Sequence, residues 1–273
     1  MNRLTFEAAD GTPLSGALLG TGGPLVVLLH GGGPDHHSLL PLGEALADRY
    51  TVALPDIRGY GRSRCADPAR HTWLRYTGDL LALLDHLGAD RAVAGGTGLG
   101  STISLRAALH HPERVAAAVL IGVEDIEDDD GKEAETALLD AFAERALGQG
   151  LEAAWAPLLD LFPPVVGATV RDAIPRSDPA SVAAAAAIGR DRAFGGVAEL
   201  REVVPPVLVV PGTDVRHPTA LAERVAETLP HGRLAPVAVS RELRTPGDLA
   251  RTMAPPVRGF LDGLPGWGAP LAP

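Results

Sequence analysis

The segment RAVAGGTGLGS, residues 91–101, decides how the rest of the chain is interpreted. It opens with a short apolar run, passes through closely spaced glycines, and leads into residues 101–109, whose apolar positions recur at helical spacing. A short apolar run is typical of a buried strand, and clustered glycines are typical of a tight turn. The segment therefore predicts a strand, a sharp turn and a helix.

Within this turn, Gly96 and Gly100 stand two residues before and two residues after Gly98. This is the spacing of the nucleophile elbow, G-x-S-x-G, whose central residue carries the attacking side chain. Gly98 then occupies the nucleophile slot, and the elbow lacks its serine. An alternative register puts Thr97 in the slot. A β-branched residue is strained in the backbone conformation of that position, whereas glycine adopts it freely, so Gly98 is favoured.

The composition is typical of a globular enzyme-sized domain, with 46% hydrophobic and 21% charged residues. A net charge of −10 argues against nucleic acid and anionic membrane surfaces as partners. The single cysteine, Cys65, excludes an intramolecular disulfide, and the start of the chain has no apolar signal-like region. We therefore expect a cytoplasmic protein whose partner is a small-molecule substrate or ligand. The oligomeric state stays open, with a homodimer as one candidate.

Strand and helix patterns alternate along most of the chain. Strands are predicted over 3–8, 12–18, 25–29, 51–55, 91–97, 115–123, 207–210 and 233–239, and helices over 38–50, 72–88, 101–109, 218–229 and 246–262. This alternation predicts a mostly parallel sheet with helices on both faces.

Between residues 124 and 203 the strand pattern is lost. Helical stretches at roughly 132–148, 151–162, 165–175 and 178–190 predict a helical cap inserted after the sixth strand. We expect an α/β core over 1–123 and 204–262, a cap over 124–203, and an irregular C-terminal tail over 263–273.

Several motifs make the chain resemble the α/β-hydrolase-fold superfamily. Residues 30–33, HGGG, are similar to its H-G-G loop, and residues 56–63, DIRGYGRS, resemble the D-x-R-G-x-G-x-S loop of esterases, epoxide hydrolases and haloperoxidases. Residues 211–214, PGTD, resemble the loop that bears the catalytic acid. The resemblance covers about residues 3–262 and implies the α/β-hydrolase fold. It also implies an oxyanion hole made by the backbone N–H groups of Gly32 and Leu99.

The resemblance also shows which parts of the catalytic triad are missing. Asp214 fills the acid position, but residues 237–246, where the histidine should follow the last strand, contain none, and no histidine occurs after His231. Acyl transfer by Ser-His-Asp needs a hydroxyl and a base to deprotonate it. Ordinary serine-hydrolase chemistry is therefore not expected.

Other titratable side chains are candidates for proton transfer. Asp35, His36 and His37 directly follow the H-G-G loop, and His217 lies three residues after Asp214. An imidazole oriented by a carboxylate has a pKa suited to general acid–base catalysis. Each of these histidines could instead be a surface or helix-capping residue.

Three further residues are candidate pocket residues. His30 is expected to orient the H-G-G loop rather than to catalyse. Glu124 and Asp125 end the sixth strand, where they face the pocket or begin a solvated helix whose dipole favours carboxylates. No metal-ligand spacing and no dinucleotide motif in its usual context accompanies them, so neither a metal nor a cofactor is expected.

We therefore predict a protein that binds a small, largely apolar carbonyl compound under its cap. The expected reaction is a non-hydrolytic proton transfer of lyase, isomerase or cyclase type at a retained oxyanion hole. Two alternatives stay open. One is a catalytically silent ligand-binding protein, and the other is a true hydrolase with a displaced nucleophile or a water activated by Asp214 and a histidine.

Overall fold

The computed structural model describes residues 2–20, 22–126 and 128–265, and an eight-stranded sheet lies at its centre. The strands are β1 (Asn2–Glu7), β2 (Pro13–Leu19), β3 (Leu25–Leu29), β4 (Thr51–Pro55), β5 (Ala92–Thr97), β6 (Val115–Ile121), β7 (Val207–Val210) and β8 (Gly232–Leu234). They lie in the order β1-β2-β4-β3-β5-β6-β7-β8. β2 pairs antiparallel with both β1 and β4, and all other neighbours are parallel. The expected mostly parallel sheet is confirmed.

Helices cover both faces of the sheet. They are α1 (Leu40–Leu46), α2 (Trp73–His86), α3 (Leu99–His110), α4 (Asp129–Gln149), α5 (Leu151–Trp155), α6 (Pro164–Ala173), α7 (Pro179–Ala185), α8 (Thr219–Thr228) and α9 (Pro246–Asp262). Buried side chains of α2, α3 and α8 share one core cluster with the sheet, and those of α1 and α9 share the other. The strands contribute to both clusters because successive side chains point to opposite faces. No helix within residues 2–20, 22–126 and 128–265 is both long and apolar enough to cross a membrane.

Helices α4 to α7 form an insertion between β6 and β7, which is the position expected for a cap after the sixth strand. Its first helix, α4, begins at Asp129, because the Asp128 side chain accepts a hydrogen bond from the Gly131 N–H and caps the helix there. Short 3₁₀ turns join its helices, at Leu159–Leu161, Ile174–Arg176, Ala186–Arg190 and Val197–Glu202. We call this segment the helical insertion.

Two predicted elements are shorter in the structure. The helix expected over 38–50 is a 3₁₀ turn, His36–Leu39, followed by the shorter α1. The strand expected over 233–239 ends at Leu234, and only an isolated bridge joins Val239 to Gly212. Pro236 lacks the N–H that would continue the ladder. The expected irregular tail over 263–273 lies outside the described residues from residue 266 onward.

Gly96 and Gly100 allow the turn between β5 and α3 to pack directly against β3. A Cβ atom on either glycine would lie 2.2 Å from the backbone oxygen of Leu29. No side chain fits at that distance, so both positions require glycine. This close approach places the residue between them, Gly98, at the carboxyl end of the sheet.

Two glycine-to-alanine substitutions in helices test this packing. We expect Gly100→Ala to lower the free energy of unfolding by about 1–3 kcal/mol, because its methyl group overpacks against β3. Gly78 in α2 is the matched control, since a Cβ there would have no heavy atom within 4 Å. Gly78→Ala should raise the free energy of unfolding by roughly 0.5–1 kcal/mol, because alanine loses less backbone entropy than glycine. Urea unfolding followed by circular dichroism measures both free energies of unfolding. Equal changes in the two variants would contradict the close packing of Gly100 against Leu29.

Candidate functional site

The residue at the sharp turn is Gly98, which joins β5 to α3 with φ +49° and ψ −116°. A positive φ is unfavourable for side-chain-bearing residues and readily adopted by glycine. Thr97, the alternative occupant of this position, is instead the last residue of β5. The hydroxyl of Ser101 in the first turn of α3 donates to the backbone oxygen of Gly96 at 2.8 Å. The structure therefore places Gly98, and not Thr97, at the turn.

The space that a side chain on Gly98 would fill is bordered by Glu124 and His217. A Cβ atom on Gly98 would lie 2.9 Å from Oε1 of Glu124 and 3.3 Å from Nε2 of His217. Glu124 follows the end of β6, and His217 lies in the loop after β7. Parallel strands end at the same edge of the sheet, so three consecutive strand ends bring these residues together.

His217 is held by Asp214, as the sequence spacing suggested. Nδ1 of His217 lies 3.0 Å from each carboxylate oxygen of Asp214. The backbone N–H groups of Arg216 and His217 also donate to Asp214 Oδ1, both at 3.0 Å. On its other side, Nε2 of His217 lies 3.3 Å from Oε2 of Glu124. The imidazole therefore lies between two carboxylates.

This arrangement determines the charge of both partners. Burial alone would lower the pKa of His217, but the hydrogen bonds to Asp214 and Glu124 outweigh it and raise the pKa to about 9. Burial would raise the pKa of Glu124, but the charges of Arg216 and His217 outweigh it and lower the pKa to about 2. At neutral pH the pair is therefore an imidazolium beside a carboxylate.

Arg216 connects this pair to two further acidic residues. Its Nε donates to Glu124, and its Nη2 donates to Glu135 in α4 and lies 3.4 Å from Oδ1 of Asp125. Burial and the charge of Glu124 raise the pKa of Asp125 well above its usual value. Asp125 is also the one non-glycine residue with a positive φ, 62°, in the part of the chain that the structure describes. Strained backbone of this kind is frequent at functional sites.

A cavity of about 440 Å³ opens between these residues and the helical insertion. Its wall is mostly apolar and aromatic, and includes Leu39, Trp73, Phe142, Trp155, Phe162 and Val165. The polar part of the wall includes Thr97, Glu124, Asp125, Asp214 and His217. An apolar cavity with a few convergent polar groups is the usual form of a small-molecule site.

Gly32 and Leu99, the expected donors of an oxyanion hole, both line this cavity. Neither backbone N–H donates a hydrogen bond to any described residue. Leu99 is the first residue of α3, where the helix dipole favours negative charge. Two unpaired donors therefore line the same cavity as Gly98.

The structure corrects the expectation for the residues that follow the H-G-G loop. Asp35, His36 and His37 do not line the cavity. Nδ1 of His36 lies 2.7 Å from the buried carboxylate of Asp56, which occupies that ring nitrogen. Asp35 accepts hydrogen bonds from Arg176 at 2.7 and 3.2 Å and lies 3.0 Å from Nδ1 of His37. One possible ligand atom from each of the three lies within 4.8 Å of the others, but their carboxylates and ring nitrogens already have these partners.

His30 is also outside the cavity wall, contrary to its expected place as a pocket residue. Its Nε2 accepts a hydrogen bond from the Ile57 N–H at 2.9 Å, and its Nδ1 lies 2.7 Å from the Gly31 oxygen. Burial lowers its pKa, which favours the neutral ring that can accept such a bond. His30 therefore joins the H-G-G loop to the loop that follows β4.

The cavity-wall residues that the sequence did not single out include Tyr60, Glu135 and Arg216. Arg216 stands between the two candidates of its loop, so its charge was a usable signal. Glu135 lies in a predicted helix rich in polar residues, where a glutamate is expected to face solvent. Nothing in the sequence places it near the end of a strand. Tyr60 occupies a variable position of the 56–63 loop, where the motif gives no reason to select it.

Comparisons with known proteins agree with this fold. Residues 24–159 match the family model described as alpha/beta hydrolase fold. The chain is 40% identical over 104 residues to Epoxide hydrolase A of Mycobacterium tuberculosis, a match that spans 37% of this chain and 32% of that protein. The chain thus matches about a third of the length of this curated relative.

Solved structures match over nearly the whole chain. A thermophilic esterase from Thermogutta terrifontis, solved with malate bound, has a TM-score of 0.81 and 25% identity, covering 97% of this chain and 99% of that chain. The bottromycin epimerase BotH, in complex with bottromycin A2, has a TM-score of 0.72 and 24% identity, covering 96% of this chain and 100% of that chain. The second likeness shows the fold alone. The eight-stranded sheet, the family match and these neighbours together establish that the chain belongs to the α/β-hydrolase-fold superfamily.

Proposed function

We propose that the protein catalyses proton transfer at a carbon next to a carbonyl group of a small, largely apolar compound. The reaction is non-hydrolytic and of isomerase, lyase or cyclase type. The observation that carries the proposal is the pairing of Glu124 and His217 around the space beside Gly98, within reach of the cavity. Gly98 itself has no side chain with which to form an acyl-enzyme.

In this proposal Glu124 is the base and His217 is the acid. The low pKa of Glu124 keeps it a carboxylate, and the raised pKa of His217 keeps it an imidazolium. Glu124 accepts a proton from the carbon, and His217 returns a proton to the same or a neighbouring atom. Asp214 fixes the ring orientation and stabilises the imidazolium, which is the usual role of a carboxylate beside a catalytic histidine.

In the same proposal, the unpaired N–H groups of Gly32 and Leu99 bind the carbonyl oxygen of the substrate. Removal of a proton next to a carbonyl places negative charge on the carbonyl oxygen. Fixed backbone donors stabilise such charge strongly in a site that excludes water. The apolar wall supplied by the helical insertion provides that exclusion and selects an uncharged, apolar substrate body.

Exchange of the methyl hydrogens of acetophenone in D₂O, followed by proton NMR, tests the acid–base pair. Acetophenone is the probe because it has an apolar body, a carbonyl and exchangeable adjacent hydrogens. We expect Glu124→Gln and His217→Asn each to slow enzyme-dependent exchange by about 10²-fold or more, the usual contribution of a positioned acid or base.

Matched controls are Glu152→Gln and His231→Asn, which change exposed side chains away from the cavity wall. Both should exchange at the wild-type rate. Unchanged exchange in Glu124→Gln would contradict the assignment of the base. A wild-type protein that binds acetophenone without accelerating exchange would favour the ligand-binding alternative.

The pH dependence of this exchange separates the two possible roles of His217. Because the pKa of His217 is raised to about 9, its acid form predominates below that pH and is lost above it. We expect a rate that is nearly constant from about pH 5 to 8 and falls as the pH rises through about 9. A rate that instead increases up to pH 9 would show that neutral His217 acts as the base.

A hydrolase with a displaced nucleophile is the second candidate. It is favoured by Oε1 of Glu124, which lies 2.9 Å from where the Cβ of an elbow residue would be. In that reaction the carboxylate attacks an epoxide carbon, the C–O bond breaks, and the oxygen takes the proton of His217. Neutral His217 then deprotonates a water that hydrolyses the ester. The match to Epoxide hydrolase A makes an epoxide the reasonable probe.

Styrene oxide in ¹⁸O-labelled water distinguishes the two candidates. Under the proton-transfer proposal we expect no diol above background and no ¹⁸O in the peptide that contains Glu124, measured by mass spectrometry. Diol formation that disappears in Glu124→Gln, together with ¹⁸O in that peptide, would replace the proposal by the hydrolase.

A further inference from the structure

Tyr60 is held rigidly at the wall of the cavity. It lies between β4 and α2, in a turn where its N–H donates to the Ile57 oxygen and its oxygen accepts from the Ser63 N–H, both at 2.9 Å. Its side chain is buried, with 8% exposure, and its ring packs edge-on against His30 with centroids 5.6 Å apart. The phenol therefore has little freedom to move.

The hydroxyl of Tyr60 lies next to the H-G-G loop. It would be 3.6 Å from a Cβ atom on Gly32, and Tyr60 lines the same cavity as Gly32 and Leu99. Among the described residues, the hydroxyl has no hydrogen-bond partner, although the buried tyrosines Tyr50 and Tyr76 both use theirs. This oxygen is not among the fully enclosed unpaired side-chain atoms of the described residues, which consist of Nε of Arg106, so it keeps accessible surface at the cavity and can bond a ligand there.

The phenol is suited to donate a hydrogen bond and not to act as a base. Burial and the negative charge of Glu124 both raise the pKa of Tyr60, so the group remains protonated. A protonated phenol can donate one hydrogen bond towards the cavity. The backbone N–H groups of Gly32 and Leu99, which line the same cavity, are also unpaired donors. Three groups that can donate into one cavity suit a ligand oxygen that accepts hydrogen bonds.

We propose that the Tyr60 hydroxyl is the third donor to the substrate oxygen, beside the N–H groups of Gly32 and Leu99. The proposal rests on the proposed proton transfer and specifies its substrate class. The ligand is a ketone, aldehyde or ester whose carbonyl oxygen accepts these bonds while its apolar body lies against the helical insertion. Tyr60 donates a hydrogen bond throughout and does not give up its proton, so no bond to Tyr60 forms or breaks.

Binding of acetophenone labelled with ¹³C at the carbonyl tests this assignment without turnover. Hydrogen bonding moves the carbonyl resonance away from its position in a hydrocarbon solvent. We expect Tyr60→Phe to shift the bound resonance back towards that position and to weaken acetophenone binding by about two- to tenfold, the effect of losing one neutral hydrogen bond. Ethylbenzene, which has no acceptor, should bind wild type and variant equally.

Tyr50→Phe is the matched control, because its phenol donates to Asp262 at 2.8 Å and does not line the cavity. It should leave the carbonyl resonance unchanged. Identical resonances in wild type and Tyr60→Phe would overturn the role of Tyr60 and leave the Glu124 and His217 experiments to decide the proton transfer. A wild-type resonance equal to that in hydrocarbon solvent would overturn Tyr60 together with the whole oxyanion hole.

Discussion

The hydrogen bonds of His217 to Asp214 and Glu124 are the interaction on which the candidate site depends. They join the loop after β7 to the end of β6 and fix a charged ring beside Gly98. The ring can lie there because Gly212 and Gly122 leave space for it: a Cβ on Gly212 would lie 2.5 Å from His217 Cβ, and one on Gly122 would lie 3.2 Å from its ring. Small residues on the neighbouring strand ends are therefore part of the site.

The charged groups around Arg216 hold the site in one arrangement, but burying them costs free energy. Removing several charged groups from water is costly unless each is paired, and here Arg216 pairs with Glu124 and Glu135 while His217 pairs with Asp214. Such clusters contribute little to stability compared with an apolar core of the same volume. Because these charged residues line an otherwise apolar cavity, a role in catalysis accounts for their presence. Glu135 belongs to α4 of the helical insertion and pairs with Arg216, which also pairs with Glu124. The insertion is therefore connected to the proposed base through Arg216.

Much of the framework could be predicted from the sequence because it depends on local patterns. The apolar runs at 25–29 and 51–55 and the glycines of the 91–101 segment specify strands and one tight turn, and both runs are strands with those bounds. The superfamily was predicted from motif order. The shortened β8 was missed because Pro236 interrupts a pattern that otherwise predicts a strand.

The site was harder to predict because it depends on which way side chains turn. His36 and His217 each follow a strand and stand near an aspartate in sequence or in space. Only the structure shows that His36 contacts Asp56 and stays outside the cavity wall, whereas His217 lines the cavity. Tyr60 and Glu135 were missed because their roles come from contacts between distant segments.

The most direct test of the account is the intact mass of the protein after reaction with a fluorophosphonate probe, for wild type and for Gly98→Ser. The hydroxyl of the variant would lie within reach of Nε2 of His217, at the cost of a side chain at positive φ and of displacing the flexible end of Glu124. Because His217 must be neutral to deprotonate the new serine, the reaction is run above about pH 9. There we predict no adduct on the wild type, one adduct per chain on Gly98→Ser, and none when His217→Asn is added. An adduct on the wild type at Thr97 or Ser101, or an unreactive Gly98→Ser, would contradict the account.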